Sequence, residues 1–519
     1  MSADVLLGLS VVVLSHRGPV SFTADEGGER EVHRGAGGLV SALTGLAAYL
    51  PEAVWVCVAP PGPDAAVARE AAGQLVRLDL GPPTRVLGSA EPAGPGTLSL
   101  RLVEVPAQVH EPFYGVIANP LLWFVQHRLY GLALEPSLGR AEHAAWEQGY
   151  VAANQLVADA VAEQVDRAGG QATVLLHDYH FYLVGDLLRQ RYPRLLLSHF
   201  VHIPWPGPDA WKVLPPAFRD AVLHGLLGCD VVGFHTAADA RAFLLCVQEL
   251  LGLPVDLDDG SVRVGGRLVQ ARSYPISIDV AALQDVAASP ETAAYLTQLP
   301  TAGQLLLRVD RTDPSKNIVR GFTAFELMLS EHPELHGQVV FLALLQPSRQ
   351  DVPEYASYLT QIGAAAAHVN ARFGTGSWQP VDLRLASDLP LAVAAYRRCD
   401  VLVVNAIADG MNLVAKEAVV VNEHDMVLAL SESTGAHGEL GNFAVTLHPF
   451  DVAQQADALH QALTMPQQQR TELLRAAAEA VRHNDVQRWL TIQLTDLASI
   501  ATDTEHAATT TSVSVTPRR

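Results

Sequence analysis

Two series of short apolar segments alternate with helical patterns along this chain of 519 residues. Short apolar runs of this kind are typical of buried strands, and strands that alternate with helices form parallel sheets covered by helices on both faces. The sequence therefore predicts an α/β fold with two halves. The predicted strands cover residues 11–14, 55–58, 173–176, 195–200 and 231–234 in the first half, and 304–309, 339–345, 381–385, 401–404 and 426–430 in the second.

The segment Tyr274-Pro275-Ile276 is the expected link between the halves. We expect domains at residues 1–275 and 276–475, and a helix at 476–500 that packs back toward the first domain. Residues 501–519 are rich in Thr and Ser, which predicts a disordered tail. Ligands of such sheets bind at the carboxyl ends of the strands, so a cleft between the halves is the expected active site.

Composition excludes several classes of partner. Lys and Arg number 35 against 55 Asp and Glu, and the net charge of -20 argues against nucleic acid or an anionic membrane as partner. No apolar run reaches the roughly 18 residues of a membrane span, and residues 5–14 indicate a first strand rather than a signal peptide. Four scattered cysteines predict free thiols in a reducing cytoplasm. The oligomeric state stays open, and a homo-oligomer is compatible with the sequence.

The segment 405–417 predicts an anion site. It follows the strand 401–404, turns at Asp409 and Gly410, and enters a helical pattern at residues 413–421. A helix N-terminus offers unpaired N–H groups and a partial positive charge, which suit a diphosphate. Glu417 lies one turn into this helix, where it could accept hydrogen bonds from a sugar. The alternative is that Asp409 only caps the helix and Glu417 is a solvated surface residue.

Cationic residues follow the first strand of the second half. Arg311 and Lys316 lie five apart in a turn and could neutralise a diphosphate as its charge grows during the reaction. The alternative is a surface ion-pair cluster with neighbouring aspartates. Arg17 and Arg349 also lie just beyond strands, one in each half, and either could bind a sugar phosphate.

Polar residues follow two further strands. His177-Asp178-Tyr179-His180 suggests a metal site, but adjacent side chains of an extended segment point to opposite sides. A substrate contact by Asp178 or a structural hydrogen bond explains this motif better. His202 precedes two prolines that fix the backbone, and its role is either structural or catalytic.

The cofactor-binding motifs that we considered are not present. The segment beginning at Gly35 and Gly37 lacks the third glycine of a dinucleotide fingerprint, because Val40 occupies that place. No Gly-Lys-Ser/Thr sequence is present for a P-loop, and no His-Glu-x-x-His sequence is present for zinc. We therefore expect neither a metal nor an organic cofactor.

Together these motifs resemble the trehalose-6-phosphate synthase family over residues 11–497. Its most specific parts are the segments 177–180, 200–204 and 409–417, with Tyr114 and Trp123 at the family's spacing. The resemblance implies a GT-B fold, with two Rossmann-like domains facing a cleft. It also implies a retaining transfer of glucose from a nucleotide-diphosphate glucose to glucose 6-phosphate.

The resemblance also assigns roles. His202, Arg311, Lys316 and Asp409 would act on the donor at the reaction centre. The implied donor-binding residues are Gly38, His202, Arg311, Lys316, Asp409, Gly410, Met411, Asn412, Leu413 and Glu417. The implied acceptor-binding residues are Arg17, Tyr114, Trp123, Asp178 and Arg349. The departing diphosphate would itself take the acceptor proton, so no metal is implied.

Several positions depart from the family pattern. His16 stands where the family often has Asn, Asn317 where glycine is common, and Pro314 where a hydrophobic or tyrosine residue often stands. This pattern also resembles a related pseudo-glycosyltransferase, validoxylamine 7′-phosphate synthase, which joins a GDP-cyclitol to an aminocyclitol phosphate. Residues 384–388 differ from the uridine-using pattern, so GDP-glucose and UDP-glucose are both candidate donors.

Overall fold

The computed structural model describes residues 10–24, 30–34, 50, 52–85, 92–300 and 303–512. It divides into two compact units, Met1–Tyr274 with Val486–Arg519 and Pro275–Asp485. Gly38 and most of the glycine-rich segment around it lie outside the described residues.

The first unit is built on a mostly parallel sheet. Within the described residues its strand order is β10-β11-β12-β9-β8-β7-β1-β4-β6-β5, with antiparallel pairs at both edges. The central strands β1 and β7 are almost wholly buried, which explains their continuous apolar runs. The bounds are β1 Ser10–Ser15, β2 Val20–Ala24, β3 Arg30–Arg34, β4 Val54–Ala59, β5 Val76–Arg85, β6 Pro92–Glu104, β7 Ala172–His177, β8 Leu196–Phe200, β9 Val231–Phe234, β10 Val255–Asp256, β11 Ser261–Val264 and β12 Arg267–Ser273.

Helices surround this sheet. Among the described residues they are Pro63–Ala71, Ala107–His110, Trp123–Gln126, Arg140–Ala145, Ala152–Arg167, Val184–Arg191, Pro208–Trp211, Pro216–Leu227, Ala237–Leu251 and Val486–Ser512. Two π-helical segments, Glu111–Leu122 and Trp146–Val151, interrupt the helical regions, and a 3₁₀ turn covers Tyr179–Phe181. The π segment Trp146–Val151 thus separates the α-helices Arg140–Ala145 and Ala152–Arg167.

The second unit contains a parallel sheet with strand order β15-β14-β13-β16-β17-β18. Its core packs helices on the sheet through residues such as Phe322, Phe341 and Leu459. The strands are β13 Gln304–Arg311, β14 Val339–Gln346, β15 Val381–Leu385, β16 Val401–Val404, β17 Val427–Ser431 and β18 Val445–Leu447. The helices are Val280–Ala287, Pro290–Leu296, Ile318–Glu331, Pro353–Phe373, Leu389–Arg398, Leu413–Val421, His437–Leu440, Val452–Thr464 and Gln467–His483, and 3₁₀ turns cover Pro314–Lys316, Pro333–Leu335 and Gly441–Phe443.

The parallel sheets confirm the predicted α/β class, but the end of the chain differs from expectation. The expected boundary at residues 475–476 falls inside the helix Gln467–His483, and a break at Asn484 and Asp485 separates it from the last helix. That helix belongs to the first unit, where the Trp489 indole donates to the Tyr274 carbonyl at 3.1 Å and the Tyr274 hydroxyl donates to Asp496 at 2.7 Å.

The last helix also extends further than expected. It continues to Ser512, although the composition predicted disorder from residue 501. Extending a helix that is already nucleated costs little per residue, so a Thr-rich segment can follow it. Residues 513–519 lie outside the described residues. In the part of the chain that the structure describes, no helix has the length and apolar character needed to cross a membrane.

Candidate active site

The segment after β16 forms a tight turn into the helix Leu413–Val421. Asn412 takes a left-handed conformation at φ 76°, and its side-chain oxygen accepts from the Ala415 amide at 3.1 Å. The side-chain amide of Asn412 donates to the Asp409 carboxylate at 3.1 Å. Asn412 rather than Asp409 therefore caps the helix. This leaves the Asp409 carboxylate aimed at groups outside the helix.

Lys316 and Asp409 come together from two neighbouring strands. Lys316 follows β13, Asp409 follows β16, and the Lys316 ammonium is hydrogen-bonded to the Asp409 carboxylate. Both side chains retain some exposure, at 12% and 15%. The lysine thus pairs with the aspartate of the anion-site segment, 93 residues further along the chain.

Buried residues beneath this pair hold the two strand ends together. Arg308 is fully buried, and it donates to Asp310 at 2.9 Å, to the Lys316 carbonyl at 3.0 Å and to the Asn405 side chain. Burial raises the pKa of Asp310, and the neighbouring Arg308 and Lys316 partly oppose this shift. Sequence reasoning gave Arg308 and Asn405 no role. Their positions at strand ends beside the motifs were the available signal.

Asn317 explains one departure from the family pattern. Its φ of 58° is left-handed, a conformation that glycine adopts freely and asparagine tolerates better than most residues. Its side chain also donates to the Asn405 carbonyl at 3.0 Å and to the Pro449 carbonyl at 2.6 Å. Asparagine thus keeps the turn after Lys316 and adds two buried hydrogen bonds to it.

Glu417 is half-buried on the helix Leu413–Val421. The Tyr396 hydroxyl donates to its carboxylate at 3.1 Å, while burial raises the pKa of the carboxyl. The expected alternative of a fully solvated glutamate is therefore wrong. The neighbouring Lys416 is buried, and its ammonium donates to the Ile276 carbonyl at 2.8 Å and to Glu439.

Arg349 lies in the second unit, beside the loop that carries Lys316. Its guanidinium donates to the Tyr355 hydroxyl at 2.5 Å and lies 3.6 Å from the Asp313 carboxylate. Asp313 in turn accepts from Ser315 and from Tyr355 at 2.9 Å. Arg311 is the last residue of β13, opposite Gln346 of β14, and Arg349 follows β14, so both arginines lie at the ends of neighbouring strands.

In the first unit, His177 and His202 meet across β7 and β8. Their Nδ1 and Nε2 atoms lie 3.0 Å apart, and the His202 carbonyl lies 3.2 Å from Nε2 of His235. Burial lowers the pKa of His177 to about 3 and that of His202 well below its ordinary value. Both rings are therefore neutral at pH 7, and His202 can offer a hydrogen bond without adding charge.

Asp178 lies in a strained turn directly after β7. Its φ is 73°, its amide donates to the Phe200 carbonyl at 2.8 Å, and its carbonyl lies 3.0 Å from Nε2 of His199. Left-handed aspartate is uncommon and costs of order 1 kcal/mol or more, so the surrounding bonds must hold it. The bonds to Phe200 and His199 hold the Asp178 backbone in this conformation.

Aromatic rings gather around the other acceptor candidates. His16 stacks on Tyr114 and on His180, with ring centroids 4.9 and 4.3 Å apart. Trp123 stacks on His127 at 4.0 Å, and Arg17 is exposed beside His16. Sequence reasoning assigned no contact to His16 or His127. For His16, its departure from the family pattern was the only sign in the sequence of such a contact.

The predicted residues thus form two sets, one in each unit. Arg17, Tyr114, Trp123, Asp178 and His202 belong to the first unit, and Arg311, Lys316, Arg349, Asp409 to Leu413 and Glu417 belong to the second. Lys316 and Asn412 both contact the Asp409 carboxylate, whereas Arg349 contacts Asp313 in the loop that carries Lys316.

This chain is similar in sequence to a known protein family. The sequence profile of glycosyltransferase family 20 matches residues 9–499. A trehalose-6-phosphate synthase of Klebsiella pneumoniae is 31% identical over 420 residues, 79% of this chain and 85% of that protein. A bifunctional trehalose-6-phosphate synthase/phosphatase of Thermoproteus tenax is 34% identical over 402 residues, or 76% of this chain. This chain spans only about half the length of that relative, at 52%.

Solved structures agree with this result. A structure of trehalose-6-phosphate from E. coli bound with UDP-2-fluoro glucose has a TM-score of 0.77 and 27% identity, over 94% of this chain and 98% of that one. An alpha,alpha-trehalose 6-phosphate synthase of Burkholderia multivorans has a TM-score of 0.77 and 28% identity, over 96% and 100%. The similarity confirms the predicted GT-B class with Rossmann-like units and the predicted resemblance. The chain therefore belongs to glycosyltransferase family 20.

Proposed function

We propose that this protein transfers glucose from a nucleotide-diphosphate glucose to glucose 6-phosphate, with retention, and forms trehalose 6-phosphate. The contact between Lys316 and Asp409, at the start of the helix Leu413–Val421, carries this proposal. With this contact, a cation, a carboxylate and a helix N-terminus lie together at the carboxyl ends of two neighbouring strands. The helix N-terminus and the cation suit the diphosphate, and the carboxylate can accept hydrogen bonds from the sugar.

The donor assignments follow from the charges. Lys316, Arg311 and the amides at residues 410–413 neutralise the departing diphosphate, and Asp409 accepts hydrogen bonds from the donor sugar. Half-buried Glu417 binds the ribose hydroxyls. Neutral His202 donates or accepts at the donor glucose. The leaving phosphate takes the acceptor proton, so the protein supplies positioning and fixed charge rather than a base.

The acceptor assignments place cations around a sugar phosphate. Arg17 and Arg349 bind the phosphate, with Tyr114 and Trp123 beside them, and Asp178 binds sugar hydroxyls. Gly38, which lies outside the described residues, approaches the donor diphosphate. The relatives named UDP-forming, such as the Aspergillus niger synthase, support UDP-glucose as a donor, and GDP-glucose is the alternative to test beside it.

A panel of UDP-, GDP- and ADP-glucose with glucose 6-phosphate tests the proposal. We expect nucleoside diphosphate release only when one of these donors and glucose 6-phosphate are both present. Lys316→Ala should lower kcat by about 100-fold or more, because a fixed cation at the leaving group is lost. Lys212→Ala is the matched control, since Lys212 is an exposed lysine paired with Asp209 and Glu249.

If none of the three nucleotide sugars releases nucleoside diphosphate in the presence of glucose 6-phosphate, the proposal is wrong. Release with an aminocyclitol phosphate and a GDP-cyclitol, but not with glucose 6-phosphate, would instead indicate a pseudo-glycosyltransferase.

A further inference from the structure

Two histidines and a glutamate lie close together in the second unit, and none of them is a candidate active-site residue. His332 follows the helix Ile318–Glu331, Glu334 lies in the turn Pro333–Leu335, and His460 lies in the helix Val452–Thr464. Each offers one potential ligand atom, and these three atoms lie within 4.8 Å of one another. Residues from two helices and a turn therefore share one small region, although sequence reasoning assigned none of them a role.

Their spacing is close to that of a bound transition metal. His332 Nδ1 lies 3.1 Å from the Glu334 carboxylate. Ligands bound to zinc at 2.0 to 2.2 Å lie about 3.4 Å apart in a tetrahedral site. The three atoms therefore need to contract by at most about 1.4 Å, which side-chain rotation can supply. The intermediate exposure of the two histidines leaves a route for an ion from solvent.

The two imidazoles also face each other in an unusual way. Their ring centroids lie 3.6 Å apart with only 5° between the planes. An imidazole binds a metal ion in the plane of its ring, so the two side chains must turn out of this parallel stack to share one ion.

We propose that His332, Glu334 and His460 bind one Zn²⁺ ion or a similar borderline-soft divalent transition ion. Two nitrogens and one carboxylate oxygen suit Zn²⁺, Co²⁺ or Ni²⁺ better than Mg²⁺ or Ca²⁺, which prefer oxygen ligands. Three protein ligands leave the remaining coordination position to water. None of these three residues belongs to the candidate active site, so metal binding by them does not depend on which reaction the protein catalyses.

A bound ion would join the two helices at a second point. The helices Ile318–Glu331 and Val452–Thr464 already pack in one hydrophobic core through Phe322, Leu329 and Leu459. The metal would hold the C-terminal end of the first helix, whose N-terminal end begins after Lys316. A bound ion would therefore stabilise the second unit.

Calorimetric titration of the chelator-treated full chain with Zn²⁺ alone tests the site. We expect one ion per chain and a higher thermal midpoint when Zn²⁺ is present. Co²⁺ alone should give the visible absorption of a four-coordinate site with nitrogen ligands. Mg²⁺ alone should give neither binding nor a thermal shift.

Variants identify the ligands. His460→Ala and Glu334→Gln should each weaken Zn²⁺ binding by at least about 10-fold, since loss of even an outer partner of a metal site costs that much. His368→Ala is the matched control, because His368 is an exposed histidine that pairs with Glu326 at 3.1 Å. It should bind Zn²⁺ as the parent protein does.

Three results would overturn the proposal. They are the absence of Zn²⁺ binding by the parent chain, undiminished binding by both His460→Ala and Glu334→Gln, and one ion per two chains, which would place the site between copies. If His460→Ala does not fold, Zn²⁺ binding is measured with His460→Gln instead, which keeps the helix.

Discussion

Asn317 stores backbone strain and offsets it with two side-chain hydrogen bonds. Removing its side chain leaves the carbonyls of Asn405 and Pro449 without this donor, which costs about 1–3 kcal/mol. Asn317→Gly loses the bonds but relieves the left-handed backbone, whereas Asn317→Ala loses the bonds and keeps the strain. We expect both variants to unfold in less urea, and Asn317→Ala to be about 1 kcal/mol less stable than Asn317→Gly. Equal stability of the two variants would mean that the turn stores no strain.

His177 should make stability depend on pH. Burial lowers its folded-state pKa to about 3 from an ordinary value of 6.5. Between these values the unfolded chain binds a proton that the folded chain does not, so stability is lost as the pH falls below about 6.5. His177→Gln should make the loss between pH 7 and pH 5 smaller by up to about 1.4 kcal/mol per pH unit. Thermal midpoints across this range measure it.

The control for His177 is another histidine in the same assay. His368→Gln changes a side chain that is 66% exposed, so it should leave the pH profile unchanged. A His177→Gln profile that parallels the parent protein's would show that this ring titrates as it does in the unfolded chain.

At the scale of elements, a close approach of two turns shapes the start of the helix Leu413–Val421. A Cβ atom on Gly435 would lie 1.9 Å from the Gly410 carbonyl oxygen, and the Gly435 amide donates to the Asp409 carbonyl at 3.0 Å. Gly435→Ala must therefore displace the 409–412 turn. We expect a higher KM for the nucleotide sugar and a loss of about 1–3 kcal/mol in stability.

Gly438→Ala, three residues further on in the helix His437–Leu440, provides a matched control. A Cβ atom there meets nothing within 4 Å, so KM and urea midpoint should match the parent protein's. If Gly435→Ala left the donor KM unchanged, the 409–412 turn would have no part in binding the nucleotide sugar.

Elements also show what the sequence could predict. The strands β9, β15 and β16 and the helix Leu413–Val421 match their predicted bounds, because apolar runs between polar turns leave few alternatives. The predicted residues Lys316 and Asp409 meet because parallel strands end at one edge. The contacts of Arg308, Asn405 and His16 were not predicted, since a side chain's partner across a sheet depends on register, which single segments do not encode. The helix break at Asn484 was missed for a similar reason, because the pattern on both sides is helical.

For the molecule as a whole, the acceptor assignments are divided between the two units. Arg17, Tyr114 and Trp123 belong to the first unit, and Arg349 belongs to the second beside Asp313. Arg349 could therefore act on the acceptor phosphate, or it could support the Lys316 loop and so act on the donor. Kinetics with both substrates varied separate these roles, because a lost phosphate contact raises the KM of that substrate alone.

We expect Arg17→Ala and Arg349→Ala each to raise the KM for glucose 6-phosphate by about 10-fold or more, the cost of a lost charge-assisted contact, with little change in the donor KM. Arg349→Lys should recover part of the loss, because it keeps the charge but loses the planar fork. Arg69→Ala is the control, since Arg69 is an exposed arginine paired with Glu104. An increase in the donor KM for Arg349→Ala alone would show that Arg349 positions the Lys316 loop through Asp313, and the acceptor phosphate would then depend on the first unit.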